Sequence, residues 1–170
     1  LSGSAGSGLA VTYTVFSGPA SLAGGTNLTF TGAGSVSIVA SQPGDTNWNA
    51  AVEVTNTFTV SKAIATVTLG SLAQDYDGTP RVATVVTVPG GLTVDITYDG
   101  SSTAPTAVGS YAVTGVVNDV MYQGSDSGTL VVSKGDQVVT FPAIADQLTT
   151  DAVGLAASAS SGLGVSFAVS

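Results

Sequence analysis

Asp75 and Asp77 flank Tyr76 in a chain that has neither His nor Cys. Two carboxylates across a cleft are the machinery of glycoside hydrolysis. In a turn-like stretch such as Asp75-Tyr76-Asp77-Gly78, the plainer reading is a solvated turn whose Asp caps its own backbone. Without His there is no His-dependent triad and no His metal site; without Cys there is no thiol catalysis. The expectation is that the chain is not an enzyme.

Oxygen-only chemistry remains open, which means calcium. Ca²⁺ takes about six to eight oxygen ligands, several of them carboxylates. The weak candidates are Asp75, Asp77 and Asp119, with Asp45, Asp126 or Asp136 contributing near a joint. No EF-hand or nonapeptide calcium motif is present, and turn-forming Asp is the alternative reading. An isopeptide cross-link needs a buried Lys beside an acid. Lys62 and Lys134 are solvated lysines at matching positions, and Glu53 falls on the wet face of its strand. Trp48 and Tyr122 occupy the same place in two similar segments. They read as structural anchors, each plugging the end of a sandwich or packing on the adjoining module; a sugar-stacking platform is the alternative.

The elements that position these residues are strands. Leu9, Val11, Tyr13 and Val15 alternate with polar or small residues, as do Val52, Val54, Phe58 and Val60, and Val94, Ile96 and Tyr98. Such period-two runs are expected to bury one face and wet the other. Gly18-Pro19, Gly24-Gly25, Pro43-Gly44, Pro89-Gly90-Gly91 and Asp99-Gly100 punctuate them. No segment carries a sustained helical period, so essentially no helix is expected.

The chain also repeats itself. Leu1–Phe16 recurs as Leu155–Ser170 at an offset of 154, with 8 of 16 positions identical. Within that period lies a second likeness. Residues 34–62 and 109–134 both run Gly-Ser, a strand, Asp-x-x-aromatic-amide-small, then a strand ending Val-Ser-Lys. The matched pieces are Asp45-Thr46-Asn47-Trp48-Asn49-Ala50 and Asp119-Val120-Met121-Tyr122-Gln123-Gly124. Three segments follow: 1–61, a module lacking its first strands; 62–134, a complete module; and 135–170, the opening strands of the next copy of the first. The joints between them are short, so neighbours are held close. Arrays of this kind supply length and surface more often than chemistry.

Composition agrees. Only 8% of residues are charged, against roughly 25% in an average soluble domain. A mean hydropathy of +0.45 argues against disorder. Net charge is −8, and three cations (Lys62, Arg81, Lys134) cannot neutralise a row of phosphates, so no nucleic-acid partner is expected. No stretch of about 18 residues is continuously apolar, so no membrane insertion by this segment is expected either.

Residues 64–134 resemble the MBG-type repeat domains of bacterial surface proteins. The pieces that carry the resemblance are Tyr76-Asp77-Gly78-Thr79-Pro80, Tyr98-Asp99-Gly100, Ala104-Pro105-Thr106, Gly109-Ser110-Tyr111, and Asn118-Asp119 followed by Tyr122-Gln123-Gly124. Residues 1–61 and 135–170 are similar to bacterial Ig-like repeats through Gly32-Ala33-Gly34, Ala40-Ser41-Gln42-Pro43-Gly44-Asp45, Asn47-Trp48-Asn49-Ala50-Ala51 and Ser161-Gly162-Leu163. The resemblance implies an all-β chain of tandem small Ig-like β-sandwich modules in an extracellular protein, secreted or at the bacterial cell surface. The expected function is a structural repeat of a stalk, filament or fibre. Its partners would be neighbouring copies, in cis or in trans, and its self-association edge Val138, Val139, Phe141, Leu163, Val165 and Phe167. The alternative is an adhesin module binding a glycan or host surface through loops, which a cluster of exposed aromatics and amides would favour.

Overall fold

The computed structural model describes residues 1–168. Val169 and Ser170, the last two positions of the 154-residue echo and of the 135–170 segment, lie outside the described residues. Among the described residues every regular element is a strand. Among those residues no helix is long and apolar enough to cross a membrane.

The first region contains β1 (Thr12–Ser17), β2 (Ala20–Ala23), β3 (Asn27–Phe30), β4 (Gly34–Ser41) and β5 (Val54–Val60). They build an antiparallel sheet in the order β1-β4-β5 and a separate β2–β3 hairpin. Gly24 and Gly25 turn that hairpin with φ of 60° and 75°, values that suit glycine. The hairpin leans on the sheet through Phe30 and Phe58, edge to face at 6.1 Å. Only the central strand β4 is deeply buried, at Val36 and Ile38.

Alternation there does not always mean burial. Val52 and Val54 are 90% and 64% exposed, contrary to the expectation that the whole run buries its apolar side. The physical reason is missing cover: β5 begins only at Val54, and the near end of the sheet has no second layer over it.

The central region runs through β6 (Ala63–Ile64), β7 (Thr66–Gly70), β8 (Ala73–Asp75), β9 (Thr84–Val88), β10 (Val94–Tyr98), β11 (Gly109–Val117), β12 (Tyr122–Gln123) and β13 (Ser125–Ser133). One sheet has the order β10-β11-β13-β8, with β8 parallel to β13; β7 and β9 form an antiparallel pair. The two layers meet through Leu69 of β7 and Tyr98, Val113, Leu130 and Val132 of the larger sheet, with Ala83 between. A second cluster, Ala65, Val67 and Val117, continues the core towards the joint. Alternation holds cleanly here. Val67 and Leu69 point inward while Thr66 and Thr68 face water.

Two details show how tightly the layers fit. Gly115 sits mid-strand because a Cβ there would come within 3.2 Å of both Leu69 Cδ2 and Val94 Cγ1. The buried Tyr98 hydroxyl accepts the Ala83 N–H at 2.9 Å, which satisfies both groups. Asp99 and Gly100, at φ of 47° and 83°, form the left-handed pair that closes a tight Asp-Gly turn.

The last region is sparse. β14 (Val139–Thr140) and β15 (Ser158–Ala159) form one antiparallel pair, and Phe141 meets Phe167 at 5.8 Å.

Candidate functional site

The shared hairpin plan is visible in the registers. Gly34 pairs with Val60 and Ser35 with Thr59; Gly109 pairs with Val132 and Ser110 with Val131. Between the two strands of each hairpin lies the Asp-x-x-aromatic motif, and its Asp has the same task in both. Asp45 Oδ1 accepts the N–H groups of Asn47 and Trp48 at 2.8 and 2.9 Å. Asp119 Oδ1 accepts those of Met121 and Tyr122 at 2.7 and 2.9 Å. A short carboxylate side chain that takes two following amides is an effective turn former.

The Asp119 turn is also the joint. Its carbonyls point back at the preceding region and its linker. Lys62 Nζ donates to Asp119 O at 2.6 Å and Ala33 N–H to Val120 O at 3.2 Å. Ala63 and Ala65 N–H donate to Met121 O and Gln123 O at 2.7 and 2.8 Å. Ala63–Ile64 thereby becomes β6, parallel to Tyr122–Gln123. The linker is a strand of the module it enters. Sequence reasoning placed Lys62 at a joint but missed this pairing, since two residues carry no periodicity.

The two aromatic anchors have different surroundings. Tyr122 is partly buried against Ala65, Val67 and Val117. Trp48 is 54% exposed, between exposed Asn47 and Asn49.

The three calcium candidates are not gathered. Among the described residues no group of three or more carboxylates converges. Asp119 is spent on its turn. Asp77 Oδ1 accepts both the N–H and the hydroxyl of Thr79, and pairs with Arg81. The Thr79 hydroxyl and amide, with Arg81 beside them, hold the Asp77 carboxyl below the usual carboxylate range. Asp75 lies exposed at the end of β8.

Two apolar surfaces remain open. In the first region, Leu1–Ala5 borders a cleft of about 370 Å³ whose apolar lining includes Val11, Tyr13, Ile38, Val54 and Phe58. The Tyr13 hydroxyl there is buried with no hydrogen-bond partner. In the last region, Val138, Val139, Phe141, Leu163 and Phe167 are 67%, 56%, 51%, 66% and 47% exposed, and Val165 is half-buried. The first surface is concave; the second is carried by the short β14–β15 pair and the irregular segments beside it.

Residues 65–136 match the family model described as an MBG domain. They coincide with the span over which the sequence resembles that family. No curated protein and no solved structure matches the chain.

Proposed function

We propose that this chain, whose residues 65–136 match the MBG domain model, is a spacer: a repeat segment of an extracellular bacterial protein, secreted or displayed at the cell surface, whose modules follow one another at fixed distance and orientation. The observation that carries this reading is the joint. A flexible tether would leave Ser61–Ile64 free to rotate. Instead Lys62 and Ala63 are bonded to the Asp119 turn, and Ala33 of the preceding region joins them. Short joints of this kind favour rods over loose beads. The partners are neighbouring copies of the same repeat.

Electron microscopy of a tandem array tests this reading. A rod that lengthens by a constant increment per period supports it. Randomly bent beads reject it.

One observation favours a second reading, a glycan-binding adhesin. Trp48 stands exposed between two amide side chains, a combination suited to stacking and hydrogen-bonding a sugar ring. A glycan array with the full chain decides it. Binding that Trp48→Ala abolishes would support the adhesin reading, and absence of binding would leave the spacer.

A further inference from the structure

We propose that the outer face of the β7–β9 pair docks on the same face of a second copy of this chain, so that copies associate side by side. This goes beyond end-to-end spacing, and it rests on strands of the central module alone.

The face follows from burial and register. Ala65, Val67 and Leu69 point into the core, which turns Ile64, Thr66 and Thr68 outward. On β9, Ala83 and Thr87 are buried and Val85 half-buried, which turns Val82, Thr84, Val86 and Val88 outward. Antiparallel pairing sets Val88 opposite Thr66 and Val86 opposite Thr68. Side chains directly opposite on a sheet lie about 4.5–5.5 Å apart, so the valines and the threonine methyls form one continuous surface. Ile64, Val88, Val86 and Val82 are 76%, 66%, 65% and 56% exposed. A single exposed valine is ordinary, whereas a contiguous apolar set on one flat face is a third open apolar surface and marks an interaction site.

The pair offers its face and not its edges. On one side Asp126 Oδ2 already accepts the Leu69 N–H at 2.9 Å. On the other, Thr87 is buried and its Oγ1 accepts the Leu92 N–H at 3.4 Å. Both edges are thus covered against an added strand.

Charge selects the occupant. No residue between Lys62 and Asp75 is charged, and none between Arg81 and Asp95, in a chain of net charge −8. A basic or acidic partner finds no counter-charge on the face. A sugar finds neither an aromatic ring nor an amide among its residues. An identical chain meets no like charge there, and its own face is equally flat and apolar. Two strands of five residues cover only about 17 by 10 Å, far below the roughly 800 Å² per partner of a standard stable interface. One such contact is therefore weak, with a dissociation constant on the order of 1 mM, and repetition along a rod multiplies it. The contact is isologous about a two-fold axis near Val86, with the stacked sheets about 10 Å apart, so rods pair and the face is then used up.

Amide chemical shifts of the full ¹⁵N-labelled chain, followed from about 0.05 to 2 mM, test the proposal. The amides of β7 and β9 should move with concentration. Val86→Asp should weaken association by about tenfold or more, because it places two carboxylates at the centre of the contact. Val116→Asp changes an equally accessible valine, 49% exposed, on the outer face of the other sheet, and should leave association within about twofold. Val86 is exposed, so its replacement leaves the fold intact, which unchanged Val113 and Leu130 amide shifts check. Shifts independent of concentration, shifts that map to another face, or equal effects of the two variants would overturn the proposal. Each of these results leaves the spacer reading to its own test, the rod length in electron micrographs.

Discussion

The first region and the central module contain the same hairpin, yet one has a core and the other barely does. Both hairpins start Gly-Ser, turn on an Asp that takes two amides, and end Val-Ser-Lys. In the central module, β7 and β9 lie over that hairpin, and Leu130, Val113 and Val132 are 0%, 1% and 1% exposed. In the first region the equivalent cover is absent along the Val54 end, and only Val36 and Ile38 of the sheet are buried. The comparison separates two things a sequence pattern carries together. Alternation specifies which face of a strand is apolar. Burial requires a second layer, which other residues must supply.

The largest expected effect breaks the comparison at the core. Leu130→Ala should destabilise the central module by about 2–5 kcal/mol, the range for emptying a filled core site. Val54→Ala, on the uncovered end of the first region's hairpin, should change stability by less than about 0.5 kcal/mol. Urea unfolding followed by hydrogen exchange at β11 and β13 amides measures the first. Trp48 emission, which reports the first region, measures the second.

A smaller effect sharpens the comparison at the turns. Asp119→Ala and Asp45→Ala remove the same two bonds, but the Asp119 turn also receives Lys62, Ala33, Ala63 and Ala65. Asp119→Ala should cost about 1–2 kcal/mol and loosen the joint, visible as a broader distance distribution between labels in the two regions. Asp45→Ala should cost about half as much and leave that distribution unchanged.

The smallest effect is electrostatic. The folded protein holds Asp77 below its ordinary pKa, so its contribution is present above about pH 4 and is lost as pH falls through the lower folded value. Asp77→Asn should therefore lower the melting temperature slightly at pH 6 and leave it unchanged near pH 2.

Much of the fold was legible in the sequence because its signals are local. The alternation of Val94, Ile96 and Tyr98 with Asp95 and Thr97, the Asp99-Gly100 turn and the matched ends of the two hairpins all follow from single residues and their neighbours. What escaped was non-local. The cover that Val54 lacks, the β6–β12 contact and the parallel β8–β13 pair depend on which segments meet, and short runs carry no record of that. Ala65 and Ala83 are core residues too small to stand out in an apolar pattern. The Asp-x-x-aromatic motif stands out in the sequence through its aromatic ring. Its Asp shapes the turn in both copies, which becomes apparent only when the Trp48 and Tyr122 amides are placed.

The parallel contacts have a mechanical consequence. A pull along the chain enters the central module at β6 and leaves at the end of β13. Because β8 runs parallel to β13, and β6 to β12, strands on the entry side are dragged lengthwise against strands on the exit side. Their hydrogen bonds are then loaded in shear, all at once, whereas an antiparallel hairpin pulled from its open end unzips one bond at a time. The two shortest ladders of the module thus lie where tension first arrives, in the geometry that resists it best.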